Sequence, residues 1–151
     1  MSEYFAPTQD ILLNQAAIFD ASIPCINGTV FHEDGSGIFL LRGIVRSPYA
    51  NWARYRVTAR GNIALPTGGT PGQIAMALTV NGEQRNSSLA IVTPAAVEEF
   101  FNFSSSAFIL VPRGASFTIA LRHVAASTDP TVTPAPVITL QNGKIEIDRA
   151  A

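Results

Sequence analysis

Arginines alternate with apolar residues in the stretch ARYRVTARGN, residues 53–62. Arg54, Arg56 and Arg60 occupy even positions together with Thr58, whereas positions 53, 55, 57 and 59 are aromatic or aliphatic. Because successive side chains of a strand point to opposite faces, the guanidinium groups would share one face. Guanidinium groups bind phosphates, anionic ligands and the carboxylates of neighbouring strands or subunits. The spacing alone leaves these three functions open.

The charge balance favours the last of them. The net charge is −1 and only 14% of residues are charged, whereas a nucleic-acid surface requires a broad basic patch. Nine of the ten cationic residues are arginine, the cation preferred in interfaces. We therefore predict no nucleic-acid partner and assign Arg54, Arg56, Thr58 and Arg60 to a subunit interface.

Metal and catalytic chemistry have little support in the sequence. His32 and Asp34 share a face of an extended chain, but a metal site needs three or four ligands. The lone Cys25 follows a proline in an apolar context and is interpreted as a buried filler. Glu98 and Glu99 are adjacent, so they project differently, and no Gly-x-Ser-x-Gly motif occurs. We predict no metal, no cofactor and no enzymatic activity.

A second candidate site lies in the segment SPYANWA. Tyr49, Asn51 and Trp52 form an aromatic and polar group that could stack on a sugar or anchor a partner. The alternative is that Trp52 packs over the end of the folded domain.

The elements that must position these residues are short strands. The length fits one domain, and 47% hydrophobic residues provide a continuous core. The opening MSEYFAPTQD lacks the features of a signal peptide, and no apolar run reaches the ~20 residues of a membrane span. We therefore expect no membrane insertion, and the low charged fraction favours an oligomer.

Period-2 patterns and turn residues predict an all-β sandwich or barrel. The pair Asn81-Gly82 predicts a tight hairpin. TPAAVEEFF could start a helix at Thr93 or form a single turn before a strand. The predicted strands are 14–19, 28–32, 37–41, 53–63, 73–80, 88–92, 98–111, 115–124 and 137–147.

The order of these segments resembles the jelly roll of tumour necrosis factor (TNF) ligands and complement globular heads. The segments that carry the resemblance are FHEDGSGIFLLRGI, YRVTARGNI, IAMALTVNGEQ, SSSAFILVPRGASFTIALR and VITLQNGKIEI. IVRSPYANWA is an insertion, and the calcium-binding acids of the complement branch have no counterpart. The positions that match the family pattern are Phe39, Gly43, Tyr55, Val111, Pro112, Gly114 and Phe117.

The resemblance implies an antiparallel jelly-roll β-sandwich over residues 14–151, preceded by an N-terminal segment, 1–13, and assembled as a homotrimer. The implied function is a non-enzymatic structural or adhesion module on a bacterial spore or cell surface or on a phage virion. The alternative is a carbohydrate-binding or receptor-ligand-like domain. The expected partners are other copies of the chain, with a glycan or a surface protein of a host or particle as a further candidate.

Overall fold

The computed structural model describes residues 1–24 and 28–150, so the interpretation of Cys25 lies outside the described residues. The described part contains twelve strands in two antiparallel sheets. The strands are β1 Ser2–Phe5, β2 Gln9–Leu12, β3 Ala21–Ile23, β4 Val30–His32, β5 Phe39–Arg42, β6 Trp52–Ala64, β7 Ile74–Val80, β8 Glu83–Gln84, β9 Ala90–Val92, β10 Phe101–Pro112, β11 Ser116–Val124 and β12 Val137–Arg149.

The two sheets pack against each other with one hydrophobic core between them. The first sheet has the order β10-β6-β12-β1-β3, with β2 also paired to β12. The second has the order β4-β5-β11-β7-β8, with β9 also paired to β7. Buried side chains from both sheets form a single large cluster, with Tyr55 from the first and Phe39 from the second fully buried. The sequence-based prediction of an antiparallel β-sandwich is confirmed.

Strand β6 lies between β10 and β12 in the first sheet and shows the predicted alternation. It extends one residue beyond the predicted bounds at each end. Ala53, Tyr55, Val57 and Ala59 have no exposed surface because they face the core. The Tyr55 hydroxyl donates to the backbone oxygens of Arg42 and Thr29, at 2.5 and 3.2 Å. Burial raises the pKa of Tyr55, and nearby Arg149 opposes that rise.

Gly43 lies where the loop before β6 meets the turn between β10 and β11. Its amide donates to the Ala115 oxygen at 2.7 Å, and its oxygen accepts from Gly114 N at 3.0 Å. A Cβ at position 43 would lie 1.9 Å from the Pro112 oxygen. Only glycine allows the two backbones to approach this closely, which explains the glycine that the resemblance singled out.

The hairpin predicted at Asn81-Gly82 is present. Both residues have positive φ, 52° and 85°, as a two-residue hairpin turn with two left-handed positions requires. Thr79 and Val80 pair with the two residues of β8. A short 3-10 turn, Asn86–Ser88, interrupts the returning strand before β9 pairs with β7. The strand predicted over 88–92 therefore begins at Ala90.

The residues that precede the boundary predicted at residue 14 take part in the first sheet. Strands β1 and β2, both within residues 1–13, pair antiparallel with β12 and are part of the first sheet. The strand predicted over 14–19 has only two isolated bridges, at Ala16 and Phe19. Strands β1 and β2 are only four residues long, and their partner β12 lies more than a hundred residues away along the chain. The alternation of apolar and polar residues is therefore a weak signal for them.

The segment TPAAVEEFF forms turns rather than a helix. Glu98 has a φ of 58°, which a right-handed helix excludes, and its amide donates to the Leu65 oxygen at 2.8 Å. The following strand accordingly begins at Phe101 rather than at Glu98. In residues 1–24 and 28–150 there is no helix with the length and apolar character needed to cross a membrane.

Candidate interaction surface

The predicted interface residues lie together on the outer side of the first sheet. Arg54, Arg56 and Arg60 are exposed in the single chain, and Thr58 is half-buried. Strand β10 flanks them on one side and β12 on the other. We call this outer surface of β10, β6, β12 and β1 the arginine face.

Two of the arginines are paired with carboxylates of β12. Arg56 Nη2 lies 3.1 Å from Asp148 Oδ2, and Arg60 Nη2 lies 3.1 Å from Glu146 Oε1. The register places Asp148 directly opposite Arg56, whereas Glu146 is opposite Thr58 and therefore diagonal to Arg60. Both guanidinium groups thus have a carboxylate partner within the chain.

Lys144 extends this network toward the sheet edge. Its Nζ lies 2.8 Å from Glu146 Oε1 and 3.2 Å from Glu3 Oε1. The hydrogen bonds that Lys144 donates to Glu146 and, to a lesser extent, to Glu3 raise the pKa of Lys144. The hydrogen bond from Lys144 lowers the pKa of Glu146, with smaller contributions from the charges of Lys144 and Arg60. In the middle of the arginine face, the cationic side chains are therefore each paired with a carboxylate of the same chain.

Arg54 has an aromatic neighbour instead. Its Cζ lies 4.7 Å from the centroid of the Phe108 ring, and Leu110 is its cross-strand partner on β10. The exposed fractions of Trp52, Phe108 and Leu110 are 53%, 51% and 50%. We call Trp52, Arg54, Phe108 and Leu110 the aromatic patch.

The sequence did not single out Phe108 and Leu110 as interface residues. The available signal was the run AFILV, which is apolar at consecutive positions and so predicts a strand that is apolar on both faces. Ala107, Ile109 and Val111 are buried in the core, which leaves Phe108 and Leu110 on the outer face. The ion-pair partners on β12 were also missed.

The structure divides the three predicted loop residues between two places. Tyr49, 91% exposed, and Asn51 lie on the loop that precedes β6, whereas Trp52 is the first residue of β6. Arg113 anchors this loop: its side chain donates to the oxygens of Ala50 and Ser47 at 2.5–2.9 Å. Trp52 is half-exposed and shares the arginine face with Arg54.

The histidines serve packing. The His32 ring stacks on Phe39 with the centroids 4.3 Å apart, and its Nε2 lies 2.9 Å from the Ser36 oxygen. His32 Nδ1 and Asp34 Oδ1 are 4.0 Å apart. Within the described ranges no three or more His, Cys, Asp or Glu residues are grouped as metal ligands would be. His123 is buried, and burial lowers its pKa.

Comparison with solved structures identifies the fold. The globular domain of zebrafish complement 1qA protein has a TM-score of 0.62 at 10% identity, covering 99% of this chain and 96% of that one. Eiger TNF from S. frugiperda has a TM-score of 0.62 at 10% identity, with coverage of 100% and 92%. Murine APRIL has a TM-score of 0.54 at 8% identity, with coverage of 96% and 97%. No family model and no curated protein matches the sequence.

The chain is therefore an all-β protein with the TNF and C1q type of jelly-roll sandwich. At these identities the likeness shows the fold alone. The resemblance noted in the sequence is confirmed at that level.

Proposed function

We propose that the chain is a non-enzymatic module that assembles as a homotrimer through the arginine face. Its role is structural or adhesive: the assembled β-scaffold displays loops on a bacterial spore or cell surface or on a phage virion. The fold shared with complement and TNF domains supports a binding or structural role.

The aromatic patch is the observation that carries this proposal. Three large apolar side chains, Trp52, Phe108 and Leu110, are each about half-exposed on the paired strands β6 and β10, and the ring of Phe108 contacts the guanidinium of Arg54. Aromatic residues and arginine are enriched in protein interfaces, and contiguous exposed apolar patches mark interaction sites. A neighbouring copy packed on this patch would remove it from water.

The ion pairs support a protein partner rather than a phosphate. Arg56 and Arg60 are each 3.1 Å from a carboxylate, so an anionic ligand would have to displace Asp148 or Glu146. An ion-paired arginine at the rim of a protein–protein interface adds specificity and helps to fix the orientation of the two partners. The ion-paired arginines are therefore better suited to form a polar border around the aromatic patch than to bind nucleic acid or a free anion.

Tryptophan fluorescence tests the proposed interface directly, because Trp52 is the single tryptophan in the sequence and lies in the aromatic patch. Assembly through this patch predicts a blue shift of the emission as protein concentration rises into the micromolar range. Urea below the unfolding range should reverse the shift. Emission at the wavelength of a water-exposed indole throughout the range from nanomolar to high micromolar concentration would refute assembly through the patch.

A second candidate function is recognition of a glycan or surface protein by the loop before β6. Tyr49 is almost fully exposed on a loop that Arg113 anchors to the sheet, which is the arrangement of a rigid aromatic contact. A glycan array should then give selective signals that Tyr49→Ala removes. The matched control is Phe31→Ala, which removes an exposed aromatic from β4 in the other sheet. Equal signals from both variants would reject the loop as the binding site.

A further inference from the structure

Strand β10 is a long edge strand with one free side. It runs for 12 residues, from Phe101 to Pro112, and pairs only with β6. The other strands that pair on one side alone within the described ranges are β2, β3, β4, β8 and β9, with two to four residues each. Natural proteins keep such edges short, because their free backbone N–H and C=O groups can pair with another chain. In residues 1–24 and 28–150, β10 is thus the single long free edge.

Two hydrogen bonds at the start of β6 show which backbone groups of β10 point away from the sheet. Ala150 N donates to the Arg54 oxygen at 2.7 Å, so the even-numbered residues of β6 bond toward β12. Arg113 N donates to the Asn51 oxygen at 2.9 Å, so the odd-numbered residues of β6 bond to odd-numbered residues of β10. In an antiparallel pair the residues in between direct their N–H and C=O groups the other way. The even-numbered residues of β10 therefore direct these groups to the free side.

The outward backbone groups of Ser106, Phe108 and Leu110 have no partner in the described part of the chain. No hydrogen bond from another segment reaches their N–H or C=O groups, and their side chains are exposed on the arginine face. We call these backbone groups the open edge. Features that usually guard a long edge are missing: β10 has no charged residue, its proline is its last residue, and its pairing with β6 has no bulge. The open edge is therefore available for pairing with an additional strand.

The open edge is complementary to an extended backbone rather than to a compact ligand. Its N–H and C=O groups recur at every second residue, about 7 Å apart, and another strand presents groups at the same spacing. The side chains along it belong to the run AFILV, residues 107–111, which is apolar on both faces of the sheet. An added strand would therefore contact apolar side chains on each face. Because β10 carries no charge, the edge favours an uncharged segment.

A second copy of this chain does not occupy the open edge in the proposed trimer. Pairing of β10 with the β10 of another copy is isologous and needs a twofold axis, which a threefold ring lacks. The other strands with a free side are too short to cover β10. A neighbour packed on the arginine face approaches perpendicular to the sheet, whereas strand hydrogen bonds run within its plane. This step rests on the proposed trimer, and it leaves the open edge to a different polypeptide.

We propose that β10 binds an uncharged, extended segment of another polypeptide by strand addition. The N–H and C=O groups of Ser106, Phe108 and Leu110 would pair with the backbone of that segment, which would extend the first sheet beyond β10. Backbone pairing supplies the affinity in this mode of recognition, and the side chains at alternate positions supply the specificity. Apolar side chains of the segment would lie beside Phe108 and Leu110 on the arginine face.

Titration of the isotope-labelled full chain with a strand peptide tests the proposal by NMR. The probe is acetyl-Val-Thr-Val-Thr-Val-amide, which is uncharged and rich in residues that favour strands. We expect it to shift the amide signals of Ser106, Phe108 and Leu110 and to slow their hydrogen exchange. Two further forms of the peptide carry N-methyl groups on the valine amides or on the threonine amides. A strand turns only one set toward the edge, so one form should bind at least ~10-fold more weakly and the other should bind like the parent peptide.

Two variants locate the pairing. Ser106→Pro removes an outward N–H without breaking the ladder with β6, because an edge strand tolerates proline where its N–H would face solvent. It should weaken peptide binding ~10-fold or more. The matched control is Ser106→Ala, which keeps the N–H and should bind the peptide like the parent chain. Neither variant changes the aromatic patch, and unchanged amide signals of the other strands show that each is folded.

Three results would each overturn the proposal: no change at the open edge with millimolar peptide, equal binding of all the peptide forms, or equal binding by Ser106→Pro and Ser106→Ala. Slow exchange of the open-edge amides without peptide would also overturn it, because a second copy would then occupy the edge. The peptide forms need no variant, so the test holds even if Ser106→Pro does not fold. Peptide binding by a monomeric chain would reject the proposed trimer alone.

Discussion

Replacement of Phe108 by serine should dissociate the proposed trimer while leaving the subunit folded. The Phe108 side chain is 51% exposed in the single chain, so assembly can bury about half of it. For an aromatic side chain of ~200 Å² this is about 100 Å², or about 2.5 kcal/mol per copy. Three copies give about 7.5 kcal/mol, which corresponds to roughly five to six orders of magnitude in the overall association constant.

Sedimentation equilibrium over a concentration series measures this change. The matched control is Phe31→Ser, because Phe31 is 54% exposed on β4 of the opposite sheet and outside the arginine face. We expect Phe108→Ser to dissociate at concentrations where the parent chain and Phe31→Ser remain assembled. The reasoning is refuted if Phe108→Ser assembles as tightly as the parent chain, or if both variants dissociate equally.

Three further predictions concern the fold and the ion pairs. Tyr55→Phe should lower the free energy of unfolding by about 1–3 kcal/mol in urea, because the Arg42 and Thr29 oxygens lose their buried donor; an unchanged midpoint would contradict this. Gly43→Ala should destabilise by about 1–3 kcal/mol or more because its Cβ would meet the Pro112 oxygen, whereas Gly72→Ala, with open space around its Cβ, should have little effect in the same thermal unfolding assay. Glu146→Gln should cost less than about 1 kcal/mol at pH 7. The folded pKa of Glu146 lies below its ordinary 4.5, so its contribution is present above pH 4.5 and is lost as pH falls through the folded value. The stability gap between parent and variant should therefore narrow as pH falls below 4.5, and a gap independent of pH would exclude this cause.

The central strands could be predicted from the sequence because each carries its own pattern. Strict alternation defined both faces of β6, and the Asn81-Gly82 pair defined a turn that needs two positive φ values. Both signals are local, and tertiary packing reinforces them. The arginines could therefore be assigned to the outer face before the structure was known.

The partners of those arginines could not be predicted in the same way. Asn142 has a φ of 56°, and the register between β6 and β12 shifts between Gln141 and Lys144. This irregularity decides that Asp148 lies opposite Arg56, and no local pattern encodes it.

The mass of the protein in solution tests the central claim most directly. Light scattering coupled to size-exclusion chromatography at micromolar concentration should give three times the 16.1 kDa of one chain. A single species at 16.1 kDa that persists at tens of micromolar would contradict assembly through the arginine face.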